Sequence, residues 1–221
     1  MEIYQDNSLG GRVFQKIRED ILKGRYKEHD ELRENTIGKE LGVSRTPVRE
    51  ALRQLELEGL VAIIPNKGAY VTGISNKDIW DIYRIRTLLE GLCARWAAKH
   101  ITDEQIEELE ETVLLSEFQM KKGDKYSTDQ VAGLDGKFHA ILYEASESRM
   151  LAHVLSDFHK YVQAARKSSI VSEERAKKSI QEHKMILQAI KDRDAELAEK
   201  LANEHIFHVI ENLKKQGYKE E

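Results

Sequence analysis

The stretch that decides the fold of this chain is Leu41-Gly42-Val43-Ser44-Arg45-Thr46-Pro47-Val48-Arg49-Glu50-Ala51-Leu52. Gly42 lies between two short segments with helical patterning, and such a glycine predicts a tight turn that sets the second helix across the first. The Ser44 hydroxyl can cap the second helix, and Pro47 falls in its first turn, where a missing backbone donor costs little. The stretch therefore predicts a helix-turn-helix.

The flanking residues complete a small domain. Helical spacing of apolar residues predicts a first helix from Leu9 to about Lys23, and a second, shorter one from Glu34 to Leu41. The third helix ends at Gly59, and after it the period changes. The runs Leu60 to Ile64 and Ala69 to Thr72, separated by Pro65-Asn66-Lys67-Gly68, indicate two short strands and a turn. Three helices followed by a hairpin is the layout of a winged helix-turn-helix.

The rest of the chain predicts only helices. Both prolines, Pro47 and Pro65, lie in the first third of the sequence, and capping residues then divide the remainder into six segments. We therefore expect a mostly α fold, with a winged helix-turn-helix over residues 1–73 and an all-α antiparallel bundle over residues 74–221. The six predicted helices run from about 75 to 99, 102 to 123, 127 to 145, 148 to 168, 172 to 191 and 194 to 215.

The composition limits the class of protein. The 221 residues are 40% hydrophobic and 33% charged, with a net charge of −4, which argues against a polycation that coats nucleic acid or membrane. The longest unbroken apolar run, Leu60 to Ile64, is too short to span a bilayer, and Met1 to Gly10 lacks the layout of a signal peptide. The single Cys93 cannot form an intrachain disulfide, which fits a reducing compartment. We expect a cytoplasmic protein.

The start of the third helix is a candidate DNA-reading surface. Arginine can pair with guanine O6 and N7 through two hydrogen bonds, while hydroxyls and helix N-terminal amides suit phosphates. Arginines on a helix more often serve solubility, but here the glycine turn, the cap and the hairpin occur together and favour DNA binding. The side chains presented outward are those of Ser44, Arg45, Thr46 and Arg49.

A second constellation lies in the predicted bundle, which holds seven of the eight histidines. Asp135 and His139 are four residues apart and so share a helix face. His183 and His205 each lie in line with apolar residues at helical spacing, which places them inward. A lone inward histidine is usually a hydrogen-bonded core residue, but three histidines and a carboxylate on three helices fit a divalent metal inside a bundle.

At this point the sequence resembles a known family. The segments Gly42–Leu52, Leu55–Val61 and Asn66–Val71 resemble the N-terminal domain of GntR-family transcription regulators. The helical remainder is similar to the FCD ligand-binding domain of the FadR subfamily, and its six helices resemble the shorter, VanR-like group. The resemblance implies a double-stranded DNA operator, a homodimer and a small organic acid as effector, with the bundle serving effector binding and dimerisation.

The resemblance also assigns residues on the DNA side. By position, Arg45 and Arg49 would contact bases or nearby phosphates. Where some members place a base-reading arginine on the second helix, this chain has Asn35, and nearby Arg33 is the candidate substitute. The resemblance also implies that Ser44 and Thr46 contact phosphates. It implies that Lys67 and Gly68, at the hairpin tip, reach the minor groove.

In the bundle, the resemblance matches Asp135, His139, His183 and His205 to the ligands of one divalent metal ion, with zinc as the first choice and nickel or manganese as alternatives. Arg86 matches an Arg-x-x-Leu-Glu pattern and is a candidate clamp for the effector carboxylate. The alternative for Arg86 is an ion pair with Glu90. His208 is interpreted as a partner of a ligand or as a surface residue, and His100, His153 and His159 as structural or exposed.

Three functions remain open from the sequence. The leading one is a transcription regulator, in particular a repressor, whose DNA affinity is set by a small carboxylate bound at the metal. A metal-dependent hydrolase is the second, although no general base is evident, because Glu182 adjoins His183 and should project about 100° away around the helix. The third is a metal-responsive DNA switch without an organic effector.

Overall fold

The computed structural model describes residues 8–123, 126–163, 165 and 172–218. The chain divides into two compact units, Met1–Ser75 and Asn76–Glu221. The mostly α class is confirmed, with a winged helix-turn-helix in the first unit and a helical bundle in the second. No helix among the described residues is long and apolar enough to cross a membrane.

The first unit contains three helices and a small antiparallel sheet in which β3 is the central strand. Apolar residues of the first and third helices, among them Ile17, Val48 and Leu55, are fully or almost fully buried and form its core. The elements are α1 (Leu9–Leu22), β1 (Glu31–Leu32), α2 (Glu34–Leu41), α3 (Arg45–Leu57), β2 (Val61–Ile64) and β3 (Gly68–Val71).

The turn between α2 and α3 positions the candidate reading helix. Gly42 has a φ of 66°, in the left-handed region that favours glycine. A Cβ at Gly38 would lie 2.9 Å from the Val43 carbonyl oxygen, so α2 packs closely against the backbone of the turn that leads into α3. Ser44 occupies the N-cap position, but its hydroxyl does not make the expected hydrogen bond to the helix. Water can satisfy the amides at an exposed helix end, so the cap bond is not required for the helix to form.

Strand β1 is absent from the sequence-based interpretation. Its two residues pair with β3, Glu31 opposite Tyr70 and Leu32 opposite Ala69. A segment of this length carries no periodic signal, because alternation needs about four residues to be recognised. Its consequence is to place the residues that precede α2 beside the hairpin.

The second unit contains six helices among its described residues. Thr102 forms the predicted capping box with Gln105, in which each side chain bonds the other residue's backbone amide. Part of the helix expected over 148–168 lies outside the described residues, which omit 164 and 166–171. The helices are α4 (Asn76–His100), α5 (Asp103–Met120), α6 (Thr128–Ala145), α7 (Arg149–Tyr161), α8 (Glu173–Lys191) and α9 (Ala195–Lys215).

The bundle core lies between α4, α5, α6, α8 and α9. Small alanines on α4, including Ala94 and Ala97, and large residues such as Phe138 and Ile186 are almost fully buried there. At Gly91 the side of α4 approaches α9 so closely that a Cβ would overlap the Asn203 side chain. These contacts bring α6, α8 and α9, the helices that carry the predicted metal ligands, to one interior.

Candidate metal centre and nucleic-acid interface

The four predicted metal ligands meet inside the bundle. Asp135 and His139 come from α6, His183 from α8 and His205 from α9, and one ligand atom from each lies within 4.8 Å of all the others. The three histidines are almost completely buried. One carboxylate and three imidazoles form a donor set that suits a divalent first-row metal. The residues therefore fit such an ion by their chemistry and by their convergence.

Aromatic packing fixes the ring of His183. Phe138 stacks on it with ring centroids 4.1 Å apart and planes 10° apart. On the side of the candidate centre, His183 Nε2 lies 3.5 Å from Asp135 Oδ1. Because Phe138 directly precedes His139 on α6, the same turn of helix supplies a ligand and the aromatic platform for another ligand.

Glu90 of α4 orients His139 from behind. Its Oε2 lies 3.1 Å from His139 Nδ1, and its Oε1 accepts a hydrogen bond from the Tyr143 hydroxyl at 2.7 Å. Arg86 donates to Oε1 from Nε and Nη2, at 3.1 and 2.6 Å. Burial by itself would raise the pKa of Glu90, but the contacts with His139 and Arg86 hold it well below its usual range. With Nδ1 engaged, Nε2 is the nitrogen of His139 that is left to bind a metal.

Glu182 of α8 orients His205 through a contact with its Nδ1. Its Oε2 lies 2.7 Å from His205 Nδ1, and Arg175 donates to its two oxygens at 3.1 and 2.9 Å. Its Oε1 also lies 2.9 Å from Nδ1 of the half-exposed His208. Burial lowers the pKa of His205 to about 4, which keeps the imidazole neutral at pH 7, the form that binds metals.

The offset of about 100° between Glu182 and His183 therefore does not separate Glu182 from the centre, as the sequence had suggested it would. Glu182 does leave the helix in a different direction from His183, but that direction leads to α9 and to the ligand His205. Residues adjacent on one helix can serve the same centre when a third helix crosses beside them. Glu182 nevertheless acts on a ligand and is not among the four convergent donors.

His159 lies closer to the centre than its interpretation as structural or exposed implied. Its ring centroid is 6.0 Å from that of His139, and a Cβ at Gly136 would lie 3.2 Å from its Nε2. Burial lowers the pKa of His159 to about 3. In contrast, His153 is exposed, and Nδ1 of His100 lies 3.4 Å from the Ser146 carbonyl oxygen.

The contact between Glu90 and His139 leads to a testable prediction. Glu90→Gln should lower metal affinity by about 10- to 100-fold, because partners of metal-binding histidines typically contribute that much. Competition against a chelator of known affinity measures the effect on the folded protein. Glu117→Gln is the matched control, since Glu117 pairs with Lys184 on the bundle surface. Equal metal affinity in Glu90→Gln and wild type would contradict this role.

On the DNA side, the first turns of α3 are open to solvent. Ser44, Arg45, Thr46 and Arg49 are all exposed, as predicted for a surface that meets a partner. The two arginines are brought together by Glu34, the first residue of α2, whose carboxylate binds both. Sequence reasoning missed this carboxylate, because it lies 11 and 15 residues away from its partners.

The hairpin residues are also exposed. Gly68, at the start of β3, has a φ of 119°, which favours glycine, and Lys67 precedes it. Arg33 pairs with Glu31 at 2.8 Å, and a Cβ at Gly68 would lie 3.5 Å from the Glu31 carboxylate. Strand β1 thus brings Arg33 to the neighbourhood of the hairpin tip.

This combination defines a DNA-binding regulator with a separate all-helical domain. A family model described as bacterial regulatory proteins, gntR family, matches residues 9–71, and one described as the FCD domain matches residues 81–208. The chain belongs to the GntR family of bacterial regulatory proteins and carries an FCD domain.

Curated relatives and solved structures agree with this assignment. The HTH-type transcriptional regulator YdhC of Bacillus subtilis is 28% identical, over 92% of this chain and 90% of the relative. The HTH-type transcriptional repressor RspR of Escherichia coli is 26% identical, over 92% of this chain and 88% of the relative. The structure of E. coli McbR/YncC shares the fold with a TM-score of 0.74 at 23% identity, covering 95% of this chain and 99% of that one. The family and these relatives are transcription regulators and not enzymes, so the hydrolase alternative is set aside.

Proposed function

We propose that this chain is a metabolite-responsive repressor that binds a palindromic operator as a homodimer. A small carboxylate, bound at a divalent metal in the bundle, sets its affinity for DNA. The observation that carries the proposal is the convergence of Asp135, His139, His183 and His205 in a domain attached to a winged helix-turn-helix.

The donor set supports a site that also accepts an exogenous ligand. Four protein donors on an ion that takes up to about six would leave positions for water or an organic acid. Zinc is the first choice for three imidazoles and one carboxylate, with nickel and manganese as alternatives. When bound, the ion supplies a positive charge that attracts a carboxylate. Glu90 and Glu182 hold two of the imidazoles in the orientation that such an ion requires.

Arg86 stays the proposed effector contact. Arg86 is 1% exposed and donates hydrogen bonds to Glu90 from Nε and Nη2. The ion pair with Glu90, which was the alternative interpretation, is therefore present. These bonds use one edge of the guanidinium, and we propose that a carboxylate would bind at the other edge. Removing Arg86 would leave the buried Glu90 uncompensated, at a cost of about 3–5 kcal/mol. Arg86→Lys, which keeps the charge and loses the planar fork, is therefore the informative substitution.

We propose a homodimer because the reading helix is short. One short helix contacts too few base pairs to specify an operator, whereas two copies read an inverted repeat. Large apolar side chains on α4 and α7 are available for a second copy to cover, since Ile85, Leu88 and Met150 are 44, 72 and 67% exposed. Duplexes with one or both half-sites, titrated against the chain, measure the stoichiometry directly.

The effector is tested by titrating small mono-, di- and hydroxycarboxylic acids into the metal-loaded protein calorimetrically. An acid that binds should weaken operator affinity about 5- to 150-fold, the range of a typical coupling free energy of ~1–3 kcal/mol. The same acid should bind Arg86→Lys less tightly than wild type, because the two-bond contact is lost.

Two results would change the proposal. Equal acid affinity in Arg86→Lys and wild type would remove Arg86 from the effector site. Operator affinity that responds to the metal but to no acid in the panel would favour the metal-responsive switch, which has no organic effector.

A further inference from the structure

Glu34 makes the densest set of contacts on the candidate reading surface. Its Oε1 accepts from Arg49 Nε at 2.9 Å, and its Oε2 accepts from Arg49 Nη2, also at 2.9 Å. The same Oε2 accepts from Arg45 Nε at 3.0 Å and lies 2.9 Å from Arg45 Nη2. One carboxylate from α2 therefore binds two arginines that lie a helical turn apart on α3.

The edge of each guanidinium that Glu34 uses is informative. A guanidinium offers five N–H donors in a planar fork, and Nε with Nη2 forms its side edge. Both arginines give this side edge to Glu34. These bonds leave the end edge, formed by Nη1 and the second hydrogen of Nη2, which is an edge that can pair with guanine O6 and N7.

The exposed fractions of the three side chains agree with this arrangement. Glu34 is 24% exposed, whereas Arg45 and Arg49 are 60% and 51% exposed. The carboxylate thus lies beneath the two guanidinium groups and holds them from the protein side. The hydrogen bond from Arg49 helps to lower the pKa of Glu34 to about 2, so the carboxylate is ionised throughout the physiological range.

From this geometry we infer that Glu34 is a positioning residue that determines DNA specificity, by aiming the end edges of Arg45 and Arg49 outward and by cancelling one of their two positive charges. The inference rests on the proposed DNA-reading role of the two arginines. Unrestrained arginines would bind any phosphate within reach, and that attraction is independent of sequence. A shared carboxylate lowers the non-specific attraction while it keeps the hydrogen-bonding edge that reads a base.

The experiment uses full-length protein and two DNA duplexes of equal length and composition. One duplex is selected from a random pool by wild-type protein, and the other is its scrambled counterpart. Glu34→Gln should lower the ratio of selected to scrambled affinity by about ten-fold, through tighter scrambled binding and poorer aim of the arginines. The dependence of scrambled binding on salt should steepen by about 1.8 in log–log slope, the value for two additional phosphate contacts, one from each chain of the proposed dimer.

Two further variants separate charge from other effects. Glu40→Gln is the matched control, because Glu40 lies on the same helix and pairs with Arg25, and it should keep the wild-type ratio. Glu34→Asp keeps the charge on a shorter side chain, so it should keep the wild-type salt slope while the ratio falls. Thermal melts show that each variant is folded.

The outcomes distinguish this inference from the proposed function. If Arg45→Ala/Arg49→Ala loses the preference for the selected duplex while Glu34→Gln keeps the wild-type ratio, Glu34 only stabilises the surface and the inference is overturned. If the double arginine variant also keeps the preference, the DNA-reading role of the arginines itself fails. A fall in the ratio for Glu34→Gln but not for Glu40→Gln supports the inference.

Discussion

Replacing both His139 and His183 by alanine should leave a chain that holds little or no metal, whereas wild type should hold close to one divalent ion per chain. The reason is that two of four convergent donors are lost from a buried centre, and the remaining Asp135 and His205 cannot hold the ion alone. Elemental analysis of the purified proteins measures the difference. His153→Ala is the control, since this histidine is exposed on α7. Equal metal content in the double variant and wild type would refute the centre.

The same experiment has a thermal counterpart. An ion that binds only the folded chain stabilises it by RT ln(1 + [L]/Kd), about 2.7 kcal/mol at a hundred-fold excess over Kd. A chelator should therefore lower the Tm of wild type by roughly 5–10 °C, at about 2–4 °C per kcal/mol for a chain of this size. The Tm of the double variant should not respond to the chelator.

Arg45→Ala/Arg49→Ala should abolish most sequence-specific DNA binding. Each two-bond contact between an arginine and a guanine contributes about 1–3 kcal/mol of discrimination, so the loss of both should weaken operator binding at least about 30-fold. Fluorescence anisotropy with a labelled operator duplex measures the change. Lys177→Ala/Lys178→Ala removes the same charge from an exposed part of α8 and should leave operator affinity unchanged.

A contrasting variant tests the hairpin. Lys67→Ala should weaken binding to operator and scrambled duplex by a similar factor, because a contact in the minor groove carries little sequence information. Operator affinity at the wild-type level in the folded double arginine variant would contradict the placement of α3 at the bases.

The sequence predicts the elements of this chain well where the signal is long and periodic. Among the described residues, the hairpin strands and the helices other than α7 end within a few residues of their expected positions, and the capping box at Thr102 forms as expected. The strand β1 could not be predicted, because its pairing with β3 depends on the tertiary fold and its two residues carry no pattern. The helix expected over 148–168 is described as α7 to Tyr161, and its residues 164 and 166–168 lie outside the described part of the chain.

The four candidate metal ligands were predictable because they, too, follow the periodic spacing of helices. Asp135 and His139 share a face by spacing alone, and His183 and His205 are marked by the apolar residues around them. Glu90 and Glu182 carry no such mark, because their contacts with His139 and His205 join residues 49 and 23 positions apart on different helices. Charged residues on helices usually face solvent, so only the tertiary structure distinguishes these two from the rest.

The two carboxylates that contact His139 and His205 also have a practical consequence. Each imidazole is already held by a glutamate from a neighbouring helix, which is itself anchored by an arginine. We therefore expect the donors to keep their arrangement when a bound ion is removed by dialysis and replaced. Refilling with cobalt(II) would give a coloured protein whose visible absorption depends on the number of ligands. The entry of a carboxylate beside the ion could then be followed by eye in a cuvette, before any DNA is added.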